Sequence, residues 1–296
     1  MAASESITTT LQYPIWIEDG KIHCDEAGLL SHLTQNLHYS VYDAIKIMGE
    51  ITKHINGNLQ YFWDKAARNM STESIRVILQ SVQHSQLNCM LSYPDSSSYY
   101  TALNCCACNL RSDMIKMILD NVNEDECYSY LGTTEGEWGL APTHWSCSKG
   151  DTESVRTMLC HLNQDKRYSL LQMTQDVFRN TPLHDASFGG HTDIMKVVHE
   201  SVTQTQWINL LELIGFRDLT VLQIAAYQDR QSCIETIRDS VSDEVWIKLL
   251  STPLPEYQLN WNAKDQYQRA LSKVDELRAA AKVQHAIITQ DNTGLE

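Results

Sequence analysis

Residues 181–202 read TPLHDASFGGHTDIMKVVHESV, and this stretch recurs along the chain. Four other segments align with it without gaps: YFWDKAARNMSTESIRVILQSV at 61–82, TALNCCACNLRSDMIKMILDNV at 101–122, APTHWSCSKGDTESVRTMLCHL at 141–162 and TVLQIAAYQDRQSCIETIRDSV at 220–241. Their first residues are separated by 40, 40, 40 and 39 positions. A fixed spacing of this size is typical of proteins built from stacked repeats.

Each copy carries two adjacent small residues in its first part, which predicts a close approach of two helices. The sixth and seventh places hold Ala66-Ala67, Cys106-Ala107, Ser146-Cys147, Ala186-Ser187 and Ala225-Ala226. The fifth place, by contrast, holds Cys105, Asp185 and Ile224, so we expect it to tolerate any side chain. Gly150 and Gly190 stand at the tenth place and predict a helix end and a turn.

The second part of each copy has the spacing of one helix face. The fifteenth and eighteenth places are always apolar, as in Ile115 and Ile118 or Met195 and Val198. An apolar pair follows at a constant distance: Met90-Leu91, Tyr130-Leu131, Leu170-Leu171, Leu210-Leu211 and Leu249-Leu250. Polar segments such as 242–244 precede it and suit a helix start. We therefore predict a short third helix in each copy, with Trp207 and Trp246 in its core-facing column.

The TPLH, small-residue and Gly-His elements of 181–202 resemble the ankyrin repeat, and 141–162 is a second good match. The resemblance covers roughly residues 58–250 and departs from the family in its longer period. It implies an all-α fold, an α-solenoid of stacked helix-turn-helix repeats, here with an extra short helix per repeat. In that family the histidine of TPLH ties neighbouring loops together, which assigns His144 and His184 a structural role.

The segments outside the repeats suggest caps. We predict an N-terminal helical cap at 1–57, five ankyrin-like repeats at 58–250, and a linker with a C-terminal capping helix at 251–296. Within the first segment, YPIWI at 13–17 is a short strand or an extended stretch, while 26–37 and 40–55 have helical spacing. Residues 265–289 are rich in helix-forming residues.

Composition limits the function. The 296 residues carry a net charge of −14, which disfavours nucleic acid and anionic membranes and favours a basic or neutral partner. No apolar run approaches the length of a membrane span, so we expect no membrane insertion. The first ten residues, MAASESITTT, lack the pattern of a signal peptide. We expect a cytoplasmic protein, with the nucleus as the alternative, and nine reduced cysteines.

No catalytic or cofactor-binding motif is visible in the sequence. The cluster Cys105, Cys106 and Cys108 and the histidines His144 and His184 lack the spaced Cys/His signature of a metal site. His144 and Cys147 could mimic a base and a nucleophile, but Cys147 stands in the small-residue column, where we expect burial. We therefore expect no enzyme activity, no catalytic residues, no cofactor and no metal. A thiol-dependent enzyme acting through Cys105, Cys108 or Cys147 remains an alternative function. Another alternative function is that of a regulatory ankyrin region of a larger signalling, ubiquitin-ligase or channel protein.

The resemblance also implies where a partner would bind. Ankyrin solenoids bind proteins or peptides on a concave face formed by the turns and first helices. Carried over by register, the partner-binding residues are Tyr100, Cys108, Trp138, Leu140, Lys149, Phe178, Asn180, Phe188, Arg217 and Tyr227. The set is aromatic for a surface, as interface hot spots are. The alternative is that the longer repeats bury several of these side chains.

Overall fold

The computed structural model describes residues 13–19, 21–55, 61–92, 100–134 and 138–253, together with Ser272, Glu276, Ala279, Ala280, Lys282 and Val283. The described chain is mostly helical. It divides into two compact units, Met1–Asn123 and Glu124–Glu296. This division falls inside the second of the five sequence copies, between its second and third helices.

The described part of the N-terminal unit starts with a small two-stranded sheet, a minor element in a chain that is otherwise mostly helical, in line with the all-α prediction. Strands β1 (Ile15–Glu18) and β2 (Lys21–Cys24) pair antiparallel, with Ile17 opposite Ile22. Helix α1 (Glu26–Ser31), a π-helical turn (His32–Asn36) and α2 (Val41–Ile55) follow. The YPIWI segment is therefore partly a strand, because β2 supplies it with a hydrogen-bonding partner.

Three helices occupy equivalent places in each of the five copies. The first helices are α3 (Phe62–Asn69), α6 (Ala102–Cys108), α9 (Pro142–Lys149), α12 (Pro182–Gly189) and α15 (Val221–Tyr227). The second helices are α4 (Thr72–Ser81), α7 (Ser112–Asp120), α10 (Thr152–Cys160), α13 (Thr192–Ser201) and α16 (Gln231–Asp239). The third helices are α5 (His84–Ser92), α8 (Glu124–Leu131), α11 (Gln164–Leu171), α14 (Gln204–Glu212) and α17 (Asp243–Ser251).

Equivalent helices pack against each other in chain order within each unit. In the N-terminal unit α3 contacts α6 and α4 contacts α7. In the C-terminal unit α9, α12 and α15 contact one another in succession, and so do α10, α13 and α16. The small residues of the sixth and seventh places are buried in all five copies, as predicted. Their size lets the first helices approach closely.

The third helices complete the apolar core. Trp207 on α14 and Trp246 on α17 are buried, which confirms their predicted place. The indole nitrogen Nε1 of Trp207 donates a hydrogen bond to Ser240 Oγ at 2.9 Å. The apolar pairs of the third helices are also buried, apart from the half-buried Tyr130. The extra residues of each copy therefore bury additional apolar surface.

The turn between first and second helices uses the same geometry in four copies. The tenth place has a positive φ at Gly150 and Gly190, as predicted, and also at Leu110 and Asp229, where glycine is missing. The next residue reaches back to the preceding copy. His191 Nε2 lies 3.2 Å from the carbonyl oxygen of Ser148. In equivalent bonds, Arg230 donates to the Phe188 carbonyl and Arg111 to the Ala67 carbonyl.

Within the described part of the chain, no helix combines the length and the apolar character needed to cross a membrane. The predicted C-terminal helix falls largely outside the described residues. Its six described positions, from Ser272 to Val283, are helical and exposed.

Glycine at the tenth place should stabilise the copies that lack it. Leu110 has φ 59 and is 53% exposed, so Leu110→Gly removes a left-handed strain at little cost in buried area. We expect a gain of about 0.5–1 kcal/mol in the free energy of unfolding, measured by denaturant titration.

The matched variant is Gly190→Ala, whose new Cβ would lie 3.0 Å from Arg230 Cδ at φ +84. It should lose about 1 kcal/mol or more. A loss on Leu110→Gly would contradict the shared turn geometry.

Candidate functional site

Two aromatic rings from successive turns stack on each other in the C-terminal unit. Trp138 and Phe178 occupy the same place before α9 and α12, and their ring centroids lie 5.4 Å apart at an interplanar angle of 19°. The turns are joined by a backbone bond from Asp176 N to the Trp138 carbonyl oxygen at 3.1 Å. Gly139 permits this approach, because a Cβ there would lie 2.3 Å from Asp176 Oδ2.

A third aromatic ring comes from the turn before α15. Phe216 meets Phe178 edge to face, with centroids 5.4 Å apart and planes at 85°. Its backbone N–H donates to Asn180 Oδ1 at 2.8 Å, which fixes this turn against the preceding one. The alignment of the repeats predicted Arg217, and not Phe216, at this position. Instead Arg217 takes a left-handed conformation, and its guanidinium turns to the Tyr227 hydroxyl at 2.9 Å.

These rings border an open cleft of about 300 Å³. It is lined by Trp138, Leu140, His144, Trp145, Ser148, Gln175, Phe178, Asn180, Asp185, Phe188 and Phe216. Trp138 and Phe188 are each 44% exposed and Phe178 is 38% exposed. Three large aromatic side chains therefore face solvent around one concavity, as binding sites commonly require.

The TPLH-type histidines hold the turns that carry these rings. His144 Nδ1 accepts from Ala141 N, and its Nε2 lies 3.1 Å from the carbonyl oxygens of both Met173 and Asn180. His184 repeats the arrangement, with Nε2 3.1 Å from the Leu213 carbonyl oxygen. Burial lowers the pKa of both imidazoles to about 4. Both rings are therefore neutral at physiological pH and link one turn to the next.

Asp185 is a buried carboxylate that lines the cleft. Its side chain is 8% exposed, and its oxygens accept hydrogen bonds from Gln175 Nε2 at 2.6 Å and Asn180 Nδ2 at 3.0 Å. Burial raises the pKa of Asp185 to about 7, although both amide bonds act to lower it. The fifth place has different surroundings in different copies. Cys105, Asp185 and Ile224 are buried there, Trp145 is half-buried and Lys65 is exposed.

The structure separates the ten predicted partner-binding residues into groups. Trp138, Leu140, Phe178, Asn180 and Phe188 line the cleft, while Lys149, Arg217 and Tyr227 lie outside its lining. Lys149 Nζ is 5.9 Å from the Trp145 ring centroid. Tyr100 and Cys108 belong to the N-terminal unit and are half-buried. Asn180 is only 6% exposed, because its amide bonds Asp185 and Phe216, and it therefore follows the alternative in which some of these side chains are buried.

Six lining residues were not predicted as partner contacts: His144, Trp145, Ser148, Gln175, Asp185 and Phe216. Asp185 and Trp145 share the fifth place, whose residues vary so widely between copies that periodicity offered no signal for either. Phe216 stands one position before the column that holds Trp138 and Phe178. The step to this copy is 39 residues instead of 40, so the alignment placed Arg217 in that column. The turn itself is a 3₁₀ helix (Phe216–Asp218).

The cysteines of the alternative enzyme function are mostly enclosed. Cys105, Cys106 and Cys147 are buried. Burial raises the pKa of Cys106 to about 12, and burial followed by the nearby Asp185 raises the pKa of Cys147 well above its usual value. A nucleophilic thiolate needs the opposite shift. Across the described residues, no group of three or more His, Cys, Asp and Glu side chains is arranged to hold a metal ion.

The chain matches no protein-family model and no curated protein. The likeness to ankyrin repeats therefore depends on the recurring motif and its helices.

Asp185 should impose an unusual pH dependence on stability. Its folded pKa, about 7, exceeds the ordinary 3.8, so the folded state holds this proton more tightly. Its contribution is fully present below pH 3.8 and is lost as pH rises through 7. The isosteric Asp185→Asn carries no titrating group. We expect the thermal midpoint of Asp185→Asn, relative to wild type, to rise steadily between pH 4 and 8.

The control is Ser169→Ala, which changes an exposed residue of α11 and removes no titrating group. Its midpoint difference from wild type should stay level over the same range. A level difference for Asp185→Asn as well would show that the Asp185 carboxyl is not buried.

Proposed function

We propose that this protein is a non-catalytic interaction scaffold, built from ankyrin-like repeats stacked as an α-solenoid, that binds a protein or peptide partner through the aromatic cleft. The observation that carries the proposal is the exposure of Trp138, Phe178 and Phe188 around one concavity. Exposed aromatic side chains cost free energy in water, and burying them against a partner recovers it. Their rigid mounting lowers the entropy lost on binding.

The support for a repeat scaffold comes from the helices. Equivalent helices of the C-terminal unit pack in chain order, and their turns are joined by the bonds of His144 and His184. The cleft therefore lies on the side where the turns meet, which is where the ankyrin resemblance puts the partner. The turns are held by buried hydrogen bonds in addition to the ring contacts, and Trp138, Phe178 and Phe188 still keep a large exposed fraction that a partner can cover.

Two alternatives are weaker. A regulatory ankyrin region of a larger signalling protein would use the same cleft, so it differs in context rather than in mechanism. A thiol-dependent enzyme would need an accessible thiolate, and burial of Cys105 and Cys147 disfavours one. Within the described residues, His144 also makes its bonds to backbone groups and not to Cys147. We propose a cytoplasmic or nuclear setting, as expected for a protein with free cysteines.

The combined variant Trp138→Ala, Phe178→Ala and Phe188→Ala tests the proposed function. It removes the exposed rings and leaves the hydrogen bonds between turns in place. We expect proximity labelling in cells to lose the proteins that the wild type labels, by about tenfold or more in yield. The circular dichroism spectrum should be unchanged.

The matched control is Val177→Ala, an apolar side chain 52% exposed beside Phe178 that does not line the cleft. It should label the same proteins as wild type. If the combined variant also labels them in equal yield while remaining folded, the cleft is not the interface.

A further inference from the structure

The cleft holds one feature that a purely structural role leaves unexplained, the buried carboxylate of Asp185. In the other copies the same place holds Lys65, which is exposed, Trp145, which is half-buried, and Cys105 and Ile224, which are buried, so the fold accepts an apolar side chain where this place is enclosed. A carboxylate in an apolar setting costs free energy that such residues would avoid. Two neutral amides, from Gln175 and Asn180, orient it and do not neutralise it.

The Asp185 carboxylate has capacity for a further bond. Each of its oxygens accepts one amide hydrogen bond, and a carboxylate oxygen accommodates two. Asp185 lines the same cleft as the exposed rings. A donor that enters the cleft therefore reaches an acceptor that is already fixed in position, and this lowers the cost of ordering the site.

The aromatic rings around Asp185 present faces that attract positive charge. The chain's own cations show this attraction. Lys149 Nζ lies 5.9 Å from the Trp145 centroid, and the Arg217 guanidinium carbon lies 4.9 Å from the Phe216 centroid. Cations bind over aromatic faces at such distances, more strongly where water is excluded. The cation–ring contacts of the described residues leave the lining rings of Trp138, Phe178 and Phe188 without a cation of the chain.

We propose that the cleft binds the lysine or arginine side chain of a basic peptide, with its charge against the Asp185 carboxylate and its stem against the aromatic rings. This inference rests on the proposed function and specifies its partner. Charge complementarity supports it: acidic residues clearly outnumber basic residues over 124–253, and the whole chain carries −14. A purely apolar side chain would pack against the aromatic rings but leave the buried Asp185 carboxylate without a counter-charge.

A peptide library of random sequence, displayed on phage and selected on the full chain, tests the inference. The wild type should enrich peptides with Lys or Arg at one fixed position. Asp185→Asn should lose that preference, and the Trp138→Ala, Phe178→Ala and Phe188→Ala variant should enrich no motif. A wild-type motif without a basic residue overturns the basic partner and leaves the scaffold function intact. No motif at all from wild type overturns both.

A second measurement needs no protein variant. Replacing the enriched basic residue by norleucine keeps an apolar stem and removes the charge. Affinity, measured by isothermal titration on the wild-type chain, should fall about tenfold. Equal affinity for the two peptides would overturn the inference even if Asp185→Asn failed to fold.

The same titration repeated from pH 6 to pH 8 identifies the group that faces the cation. Burial raises the pKa of Asp185 to about 7, so deprotonation over this range should strengthen binding of the basic peptide and leave the norleucine peptide unaffected. A level affinity for the basic peptide would contradict contact with Asp185.

Other titrating groups near Asp185 do not account for such a pH dependence of the affinity. Its α9 neighbours are His144, with a pKa of about 4, and Cys147, with a raised pKa, so both stay neutral over this range. The remaining ionisable side chains on the helices packed against α12 are Lys149, Asp193, Lys196, His199, Glu200 and Tyr227, which are exposed or half-buried. The norleucine peptide reports any titration of theirs that is independent of the ligand charge.

Discussion

Buried hydrogen bonds fix the distance between successive turns of the C-terminal unit, and the aromatic cleft depends on that distance. A neutral, buried His144 accepts from its own helix start and donates to carbonyls of the next turn, and His184 does the same one copy later. Asn180 then joins the second turn to the third through Phe216 N. These bonds bring Trp138, Phe178 and Phe216, which are far apart in sequence, into mutual ring contact. The cleft exists because the turns cannot separate without breaking buried hydrogen bonds.

The site combines neutral buried bases with a buried acid, and the two have opposite consequences. His144 and His184 serve stability, since burial keeps them uncharged and their bonds satisfy backbone carbonyls. Asp185 works against stability at neutral pH, because ionising it inside the unit is costly. A residue that opposes stability in an otherwise well-packed column is characteristic of a functional site. The buried Asp185 carboxyl, more than the size of the cleft, is the reason for proposing a partner that supplies a positive charge.

Much of the architecture was predictable because periodicity determines it. The 40-residue register located the helices, the small buried pairs and the third helix with Trp207 and Trp246. It also aligned Trp138 with Phe178. The sequence did not reveal that Asp185 is buried, since a charged residue in a variable column suggests a surface position. It missed Phe216 because one residue is absent from that turn. The N-terminal hairpin lay outside the register, and strand pairing depends on a partner that periodicity does not identify.

The central claim is that three successive turns form one binding surface. Amide hydrogen exchange of the full chain, with and without a saturating basic peptide from the library, tests it most directly. If the peptide covers this surface, exchange should slow in 138–140, 175–180 and 215–217 together, with little change in the second helices α10, α13 and α16. Protection confined to the second or third helices, with exchange at the three turns unchanged, would contradict it.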